Sequence, residues 1–206
     1  MIRDPKDLKR YEPKERANHW VVGISFILLA LSGLAFFHPA FFPLTQLFGG
    51  PTWTRIIHPY LGVIMALSFL GLYVRFKHLN KMTPADKDWL SKVDQMVDGD
   101  DHNMPEQGKY NGGQKVMFWA LAVCMLLMTV SGVLIWRAWF GFDITLVRLG
   151  AVVHAAAGAV MIAMIMVHVY AAIWVKGTIR AMWYGTVTRG WAKQHHRGWY
   201  RQITGK

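Results

Sequence analysis

Cysteine is almost missing from this chain of 206 residues: Cys124 is the only one. One thiol excludes an internal disulfide and any CxxC metal ribbon. Lying in an apolar run, Cys124 reads as a small buried hydrophobe. Acidic residues are also scarce, with 12 Asp and Glu against 23 Lys and Arg and a net charge of +11. Such an excess suits either nucleic acid or a membrane surface. A third shortage decides between them, because residues 20–37, 56–74, 116–136 and 149–175 contain no Asp, Glu, Lys or Arg. Uncharged apolar runs of about 20 residues are the length of a membrane-spanning helix, so the expected partner is a lipid bilayer and not nucleic acid. The polar opening, "MIRDPKDLKRYEPKERANHW", is too long and too charged for a secretory signal, and no cleavable leader is expected.

What is present is apolar matter in quantity: 53% hydrophobic residues, with ten tryptophans and twelve methionines. The expected fold is all-α and integral to the membrane, a single domain over 1–206 built as a four-helix bundle. Trp20, Tyr73, Trp136 and Trp174 stand near the span ends, where amphipathic rings anchor at the interface. Lys and Arg alternate between the flanking segments: six in 1–18, none in 38–53, seven in 75–115, two in 137–148 and seven in 176–206. Positive charge stays on the cytoplasmic side, which predicts a multi-pass protein of the bacterial inner membrane with both termini and the 75–115 loop in the cytoplasm. Within that loop "DKDWLSKVDQMV" puts Trp89, Leu90, Val93, Met96 and Val97 on one helical stripe. It reads as a short amphipathic helix lying on the membrane or on a partner.

Nine histidines occur. His38, His78, His102, His195 and His196 fall in loops or tails and read as exposed polar residues. His19, His58, His154 and His168 fall in or at the edge of a span, where an unpaired imidazole is costly. On one helix His154 and His168 would stand about 21 Å apart and within about 40° of the same face. The charge alternation gives their depths and matches them in two pairs, His19 with His168 toward the cytoplasm and His58 with His154 toward the outside.

Two imidazole pairs stacked in a bundle suggest two b-type haems, each with bis-histidine ligation from facing helices. No CxxCH is present for covalent c-type attachment. A macrocycle between helices needs small neighbours; Gly33, Gly62, Gly132 and Gly158 lie in the spans, and both His58 and His154 read H-x-x-x-G. Proton relays and interhelical hydrogen bonds are the other uses of such histidines. A weak internal repeat aligns "RANHW" with "KVMFW"; thirteen residues beyond the fourth position of each comes Ser-Gly, at Ser32-Gly33 and Ser131-Gly132, and Phe118 takes the place of His19.

The segments "ERANHW", "RIIHPYLG", "GKYNGGQK", "SGVLIWR", "HAAAG", "HVYAAIWVKG" and "WAKQHH" together resemble the cytochrome b556 gamma subunits of membrane-bound respiratory formate dehydrogenases, over about residues 15 to 201. The histidine pattern alone also suits the cytochrome b subunits of nickel–iron hydrogenases or other periplasmic dehydrogenases. The resemblance implies a catalytic alpha subunit with molybdenum or tungsten that oxidises formate outside, an iron–sulfur beta subunit, and a higher oligomer of the heterotrimer. It implies His58 and His154 as outer haem ligands, and His19 and His168 as inner ones. Menaquinone or ubiquinone would be reduced near the cytoplasmic face in a pocket formed by Asn111, Gly113, Gln114 and His168. Formate oxidation itself would not lie on this chain. Gly112 stands where some relatives have alanine, a change expected to leave the loop undisturbed. Asn111 and Gln114 bring amide donors for a quinone carbonyl. On residues alone "NGGQ" reads as an ordinary turn and helix start.

Overall fold

The computed structural model describes residues 4–97 and 104–205. In chain order the elements are β1 (Leu8–Lys9), α1 (Pro13–Phe37), a 3-10 segment (Pro39–Phe48), α2 (Pro51–Phe76), a second 3-10 segment (Lys77–Asn80), α3 (Pro84–Ser91), α4 (Val93–Val97), α5 (Gly112–Ile135), α6 (Ile144–Trp174), α7 (Ile179–Tyr184), β2 (Thr186–Val187), α8 (Arg189–His195) and α9 (Arg197–Thr204). Helices α1, α2, α5 and α6 are long and apolar enough to cross a membrane. They are the four spans expected from the uncharged runs. Each begins before its run, because a helix can carry charge and proline in its first turn outside the hydrocarbon: α1 opens on Pro13 and α2 on Pro51. With 31 residues, α6 is about 46 Å long, beyond the roughly 30 Å of a bilayer core, so it tilts or projects. Its start is set by Asp143, whose Oδ1 accepts the Thr145 N–H at 2.8 Å. That bond holds the Asp143 carboxyl below its ordinary range.

Within each span only 6–17% of the most apolar stretch is buried by the rest of the chain. Side chains such as Leu67, Leu126, Val152 and Ile173 stand more than half exposed. In water that would be untenable; in a bilayer such faces meet lipid tails.

The chain forms two compact units. One comprises Ala17–Val74 and Leu121–Val167. Its core is built on Met65, Cys124, Met125 and Met161, with Phe26, Phe69 and Met128 packed against them. Cys124 is 7% exposed, the small buried hydrophobe expected. Asn18 Nδ2 donates to the Ser68 carbonyl at 2.9 Å, tying the start of α1 to α2.

The other unit comprises the chain up to Arg16, Arg75–Ala120 and the chain from His168 on. It gathers the three segments richest in Lys and Arg. β1 and β2 pair antiparallel, Leu8 opposite Val187, joining the N-terminal arm to the C-terminal tail. Ala181, Val187, Trp191, Ala192 and Trp199 form the core, with Leu8, Tyr11 and Tyr200 against it. From the tail motif "WAKQHH", Trp191, Ala192 and His196 are buried, while Lys193 and Gln194 face out.

The stripe 87–97 forms two short helices. A capping box between Thr83 and Asp86, with Pro84 following, starts α3. Lys92 leaves the helical path and its N–H turns back to the Trp89 carbonyl at 3.2 Å, which ends α3. Trp89 is 6% exposed and touches the start of α5, while Val93 faces out at 41%. Trp89 thus packs on its own chain and not on a membrane or a partner, and the side chains of Met96 and Val97 lie outside the described residues.

Candidate functional site

Helix α2 carries His58 and α6 carries His154, in one unit. Their ring centroids lie 6.2 Å apart with planes at 66°. Two imidazole–metal bonds of about 2 Å each, with roughly 1 Å from each ring nitrogen to its centroid, span about 6 Å. The separation is that of two imidazoles on one metal between them.

The hydrogen bonds fix which nitrogen is free. Ser32 Oγ donates to the Leu28 carbonyl at 2.7 Å. Its proton is committed, so toward His58 Nδ1, also at 2.7 Å, it accepts. Ser131 Oγ does the same, donating to Leu127 O at 2.6 Å and meeting His154 Nδ1 at 2.9 Å. Both imidazoles are thereby held with the proton on Nδ1 and the lone pair on Nε2. A metal-ligating histidine is commonly oriented through its second nitrogen in this way. Ser32 is fully buried and Ser131 is 2% exposed, so neither bond competes with water.

Beside each serine stands a glycine. A Cβ on Gly33 would lie 3.5 Å from His58 Cε1, and one on Gly132 would lie 3.5 Å from His154 Cε1. Ser-Gly on α1 and Ser-Gly on α5 thus serve one histidine each, from opposite helices, which gives the internal repeat a structural meaning. The glycines one turn beyond the histidines behave differently: a Cβ on Gly62 would meet nothing within 4 Å, and one on Gly158 would meet Met128. The open space at Gly62 and the small neighbours at Gly33 and Gly132 suit a flat macrocycle between the rings. The donor set and the spacing fit a bis-histidine b-type haem.

The other two span histidines fall in different units. His19 is half-buried on α1, edge-to-face with Trp20 at 5.9 Å. His168, near the end of α6, is exposed on this chain and belongs to the unit with the N-terminal arm.

Asn111 and Gln114 start α5 with a reciprocal cap. The Asn111 N–H donates to Gln114 Oε1 at 3.1 Å, and the Gln114 N–H donates to Asn111 Oδ1 at 2.9 Å. The helix start read from "NGGQ" is real. Both amide oxygens are occupied and both NH2 groups remain as donors. Gly113 admits Trp89, whose ring would lie 3.0 Å from a Cβ there. A Cβ on Gly112 would lie 2.7 Å from the Asp86 backbone oxygen. An alanine at 112 in this chain would therefore need the Asp86 backbone to shift. Lys115 follows, ion-paired with buried Asp86 at 2.7 Å. The salt bridge and the Thr83 hydrogen bonds hold the Asp86 carboxyl below its ordinary range, against the effect of its own burial.

Among the tail and loop histidines, His38 and His78 are exposed as expected, and His195 is partly covered. His102 lies outside the described residues. His196 corrects the expectation, being 1% exposed. Its Nδ1 is 2.8 Å from the Gly108 carbonyl and its Nε2 is 3.3 Å from Arg10 Nη2. Burial, followed by the Arg10 charge, pushes its pKa down to about 3. Ser32, Ser131, Arg10 and His196 are the residues that reading for ligands passed over. The recurring Ser-Gly was the available signal for the serines.

The family described as prokaryotic cytochrome b561 matches residues 10–185. The cytochrome b556(Fdn) subunit of the nitrate-inducible formate dehydrogenase of Escherichia coli strain K12 is 44% identical over 191 residues, 92% of this chain and 88% of its own length. The cytochrome b556(fdo) subunit of a formate dehydrogenase of the same strain is 44% identical over 196 residues, 94% of this chain and 92% of its own. The formate dehydrogenase cytochrome b556 subunit of Haemophilus influenzae is 37% identical over 195 residues, 94% of this chain and 82% of its own.

Proposed function

The chain belongs to the prokaryotic cytochrome b561 family, and from that membership we propose that it is the di-haem cytochrome b subunit of a membrane-bound formate:quinone oxidoreductase. It is a bacterial membrane protein with an electron-transfer role. The finer reading is that it takes electrons from an iron–sulfur subunit on the outer side and delivers them to quinone near the cytoplasmic face. A separate catalytic subunit containing molybdenum or tungsten oxidises formate. The relatives' names, each a cytochrome b556 subunit of a formate dehydrogenase, support a place in a formate dehydrogenase complex.

The observation that carries the proposal is the facing pair His58 and His154, 6.2 Å apart with Nδ1 of each tied to a serine. A bound b-type haem supplies a one-electron couple that needs no proton. The residues of this chain do the rest. His58 and His154 would hold the haem through their Nε2 lone pairs. Ser32 and Ser131 hold those rings against rotation and make them more basic. The apolar spans exclude water from the site, so no proton exchanges there. His19 and His168 are proposed as the inner pair, on the family resemblance and on the depths implied by the charge alternation. Asn111, Gly113 and Gln114 are proposed for quinone, with the two free amide NH2 groups as donors toward a carbonyl.

Formate added to the purified complex without quinone is expected to give a reduced b-type spectrum, and added quinone to restore the oxidised one. In a His58→Ala complex formate is expected to reduce the iron–sulfur partner while the quinol yield falls by at least about tenfold. Unimpaired quinol formation in that variant would exclude His58 from the electron path.

A further inference from the structure

Residues 107–110 lead into α5 and the proposed quinone residues. Three consecutive carbonyls of this segment are each taken by a donor from distant sequence in the same unit. The Trp199 N–H donates to Gln107 O at 3.2 Å. His196 Nδ1 donates to Gly108 O at 2.8 Å. Arg10 Nη2 donates to Lys109 O at 2.5 Å. Loop carbonyls usually face water, and a loop so exposed is mobile; here each of the three accepts a hydrogen bond from its own chain, although Gly108 itself lies at the surface.

Arg10 organises the set. It is 4% exposed, with its guanidinium 4.9 Å from the ring centres of both Trp191 and Trp199 and 5.8 Å from those of Tyr11 and Tyr110. Aromatic faces stabilise a buried guanidinium without a carboxylate. A guanidinium has no lone pair, so at 3.3 Å from His196 Nε2 it donates. That leaves the imidazole proton on Nδ1, the nitrogen that faces Gly108. Arg10 therefore selects the tautomer with which His196 holds the loop. Strand pairing places Arg10 in turn: the Arg10 and Tyr11 N–H groups both donate to Gly185 O, at 2.8 and 3.1 Å. Gly185 turns there with φ 78°, where a Cβ would lie 2.7 Å from Tyr11 O.

We propose that Arg10 and His196 are positioning residues for quinone: they clamp 107–110 so that the Asn111 and Gln114 amides meet a quinone carbonyl. The proposal rests on the reading of 111–114 as the quinone site. It assigns a role to the N-terminal arm and to "WAKQHH", neither of which carries a haem ligand.

The test uses the whole complex in detergent, with formate as donor and a soluble quinone titrated as acceptor. His196→Ala, His196→Asn, Arg10→Lys and Gln114→Leu are compared with the parent. The clamp predicts a rise in quinone KM of roughly tenfold for His196→Ala, about the loss of one buried hydrogen bond. It predicts unchanged haem content and unchanged haem reduction by formate before quinone is added. His196→Asn keeps an N–H donor toward Gly108 and recovers most of the parent KM. Arg10→Lys keeps the charge among the rings but loses the fork that reaches both Lys109 and His196; it raises the quinone KM as well and reads the same step where His196→Ala does not assemble. If Gln114→Leu raises the quinone KM while assembled His196→Ala and Arg10→Lys complexes stay within twofold of the parent, the clamp is wrong and the quinone site stands. If all four variants keep the parent KM, the quinone site itself is misplaced and the clamp falls with it.

Discussion

At His58 and His154 the informative atom is the one that faces away from the proposed metal. Each Nδ1 gives its proton to a serine whose own proton is already spent on a helix carbonyl. Ser131→Ala removes that acceptor and makes His154 a weaker base. The expected result is that the haem proposed at His58 and His154 is retained with its midpoint potential raised, and haem affinity lower by about tenfold or more; redox titration against the parent checks the sign. His196 gives a second residue-level expectation. An unfolded imidazole takes a proton below about pH 6.5, whereas in the folded chain that waits until about 3. The folded pKa is depressed, so the buried neutral ring destabilises the fold as pH drops from 6.5 toward 3, by up to about 1.4 kcal/mol per pH unit. His196→Asn removes this dependence, and thermal unfolding between pH 7 and pH 5 would show a flatter decline for the variant. The span histidines proposed as ligands were legible as candidates because an imidazole in an apolar run stands out. His196 was not, because its burial comes from chain segments 88 and 186 residues away.

Among the elements, the four spans were legible from the missing charges, while their ends were not. Apolar runs mark where lipid is, and caps and prolines mark where helices start; Pro13, Pro51 and the Asn111–Gln114 cap each lie outside the run. The stripe around Trp89 was read correctly as helical, but as one helix lying on a membrane or a partner, whereas it is two short helices with Trp89 packed on its own chain. Its break at Lys92 depends on a backbone turn that periodicity does not carry. The junction of α3 with α5 is tight at Gly112, where a Cβ would stand 2.7 Å from the Asp86 backbone oxygen and 3.2 Å from Leu90 and Trp89. A backbone oxygen cannot swing aside as a side chain can. Gly112→Ala is expected to lower stability by about 1–3 kcal/mol, read as a drop in Tm of the detergent-solubilised complex. An unchanged Tm would mean that α3 shifts freely.

For the whole molecule, the Lys and Arg alternation and the grouping of its three basic segments in one compact unit point the same way. The N-terminal arm, the 75–115 loop and the tail are joined by β1 with β2 and by the contacts of Arg10 and His196. All three are expected to be labelled from the cytoplasmic side by a membrane-impermeant reagent, and the 38–50 and 137–143 loops from the outside. The reverse pattern would exchange the inner and outer labels of the two histidine pairs. The central claim is that His58 and His154 hold one and the same haem. Haem content and redox titration of the His58→Ala, His154→Ala and double-variant complexes test it most directly. The account predicts that each single variant loses the same one of two potentials and that the double variant loses nothing more. Single variants that lose different potentials, or a double variant that loses both while each single keeps one, would contradict it.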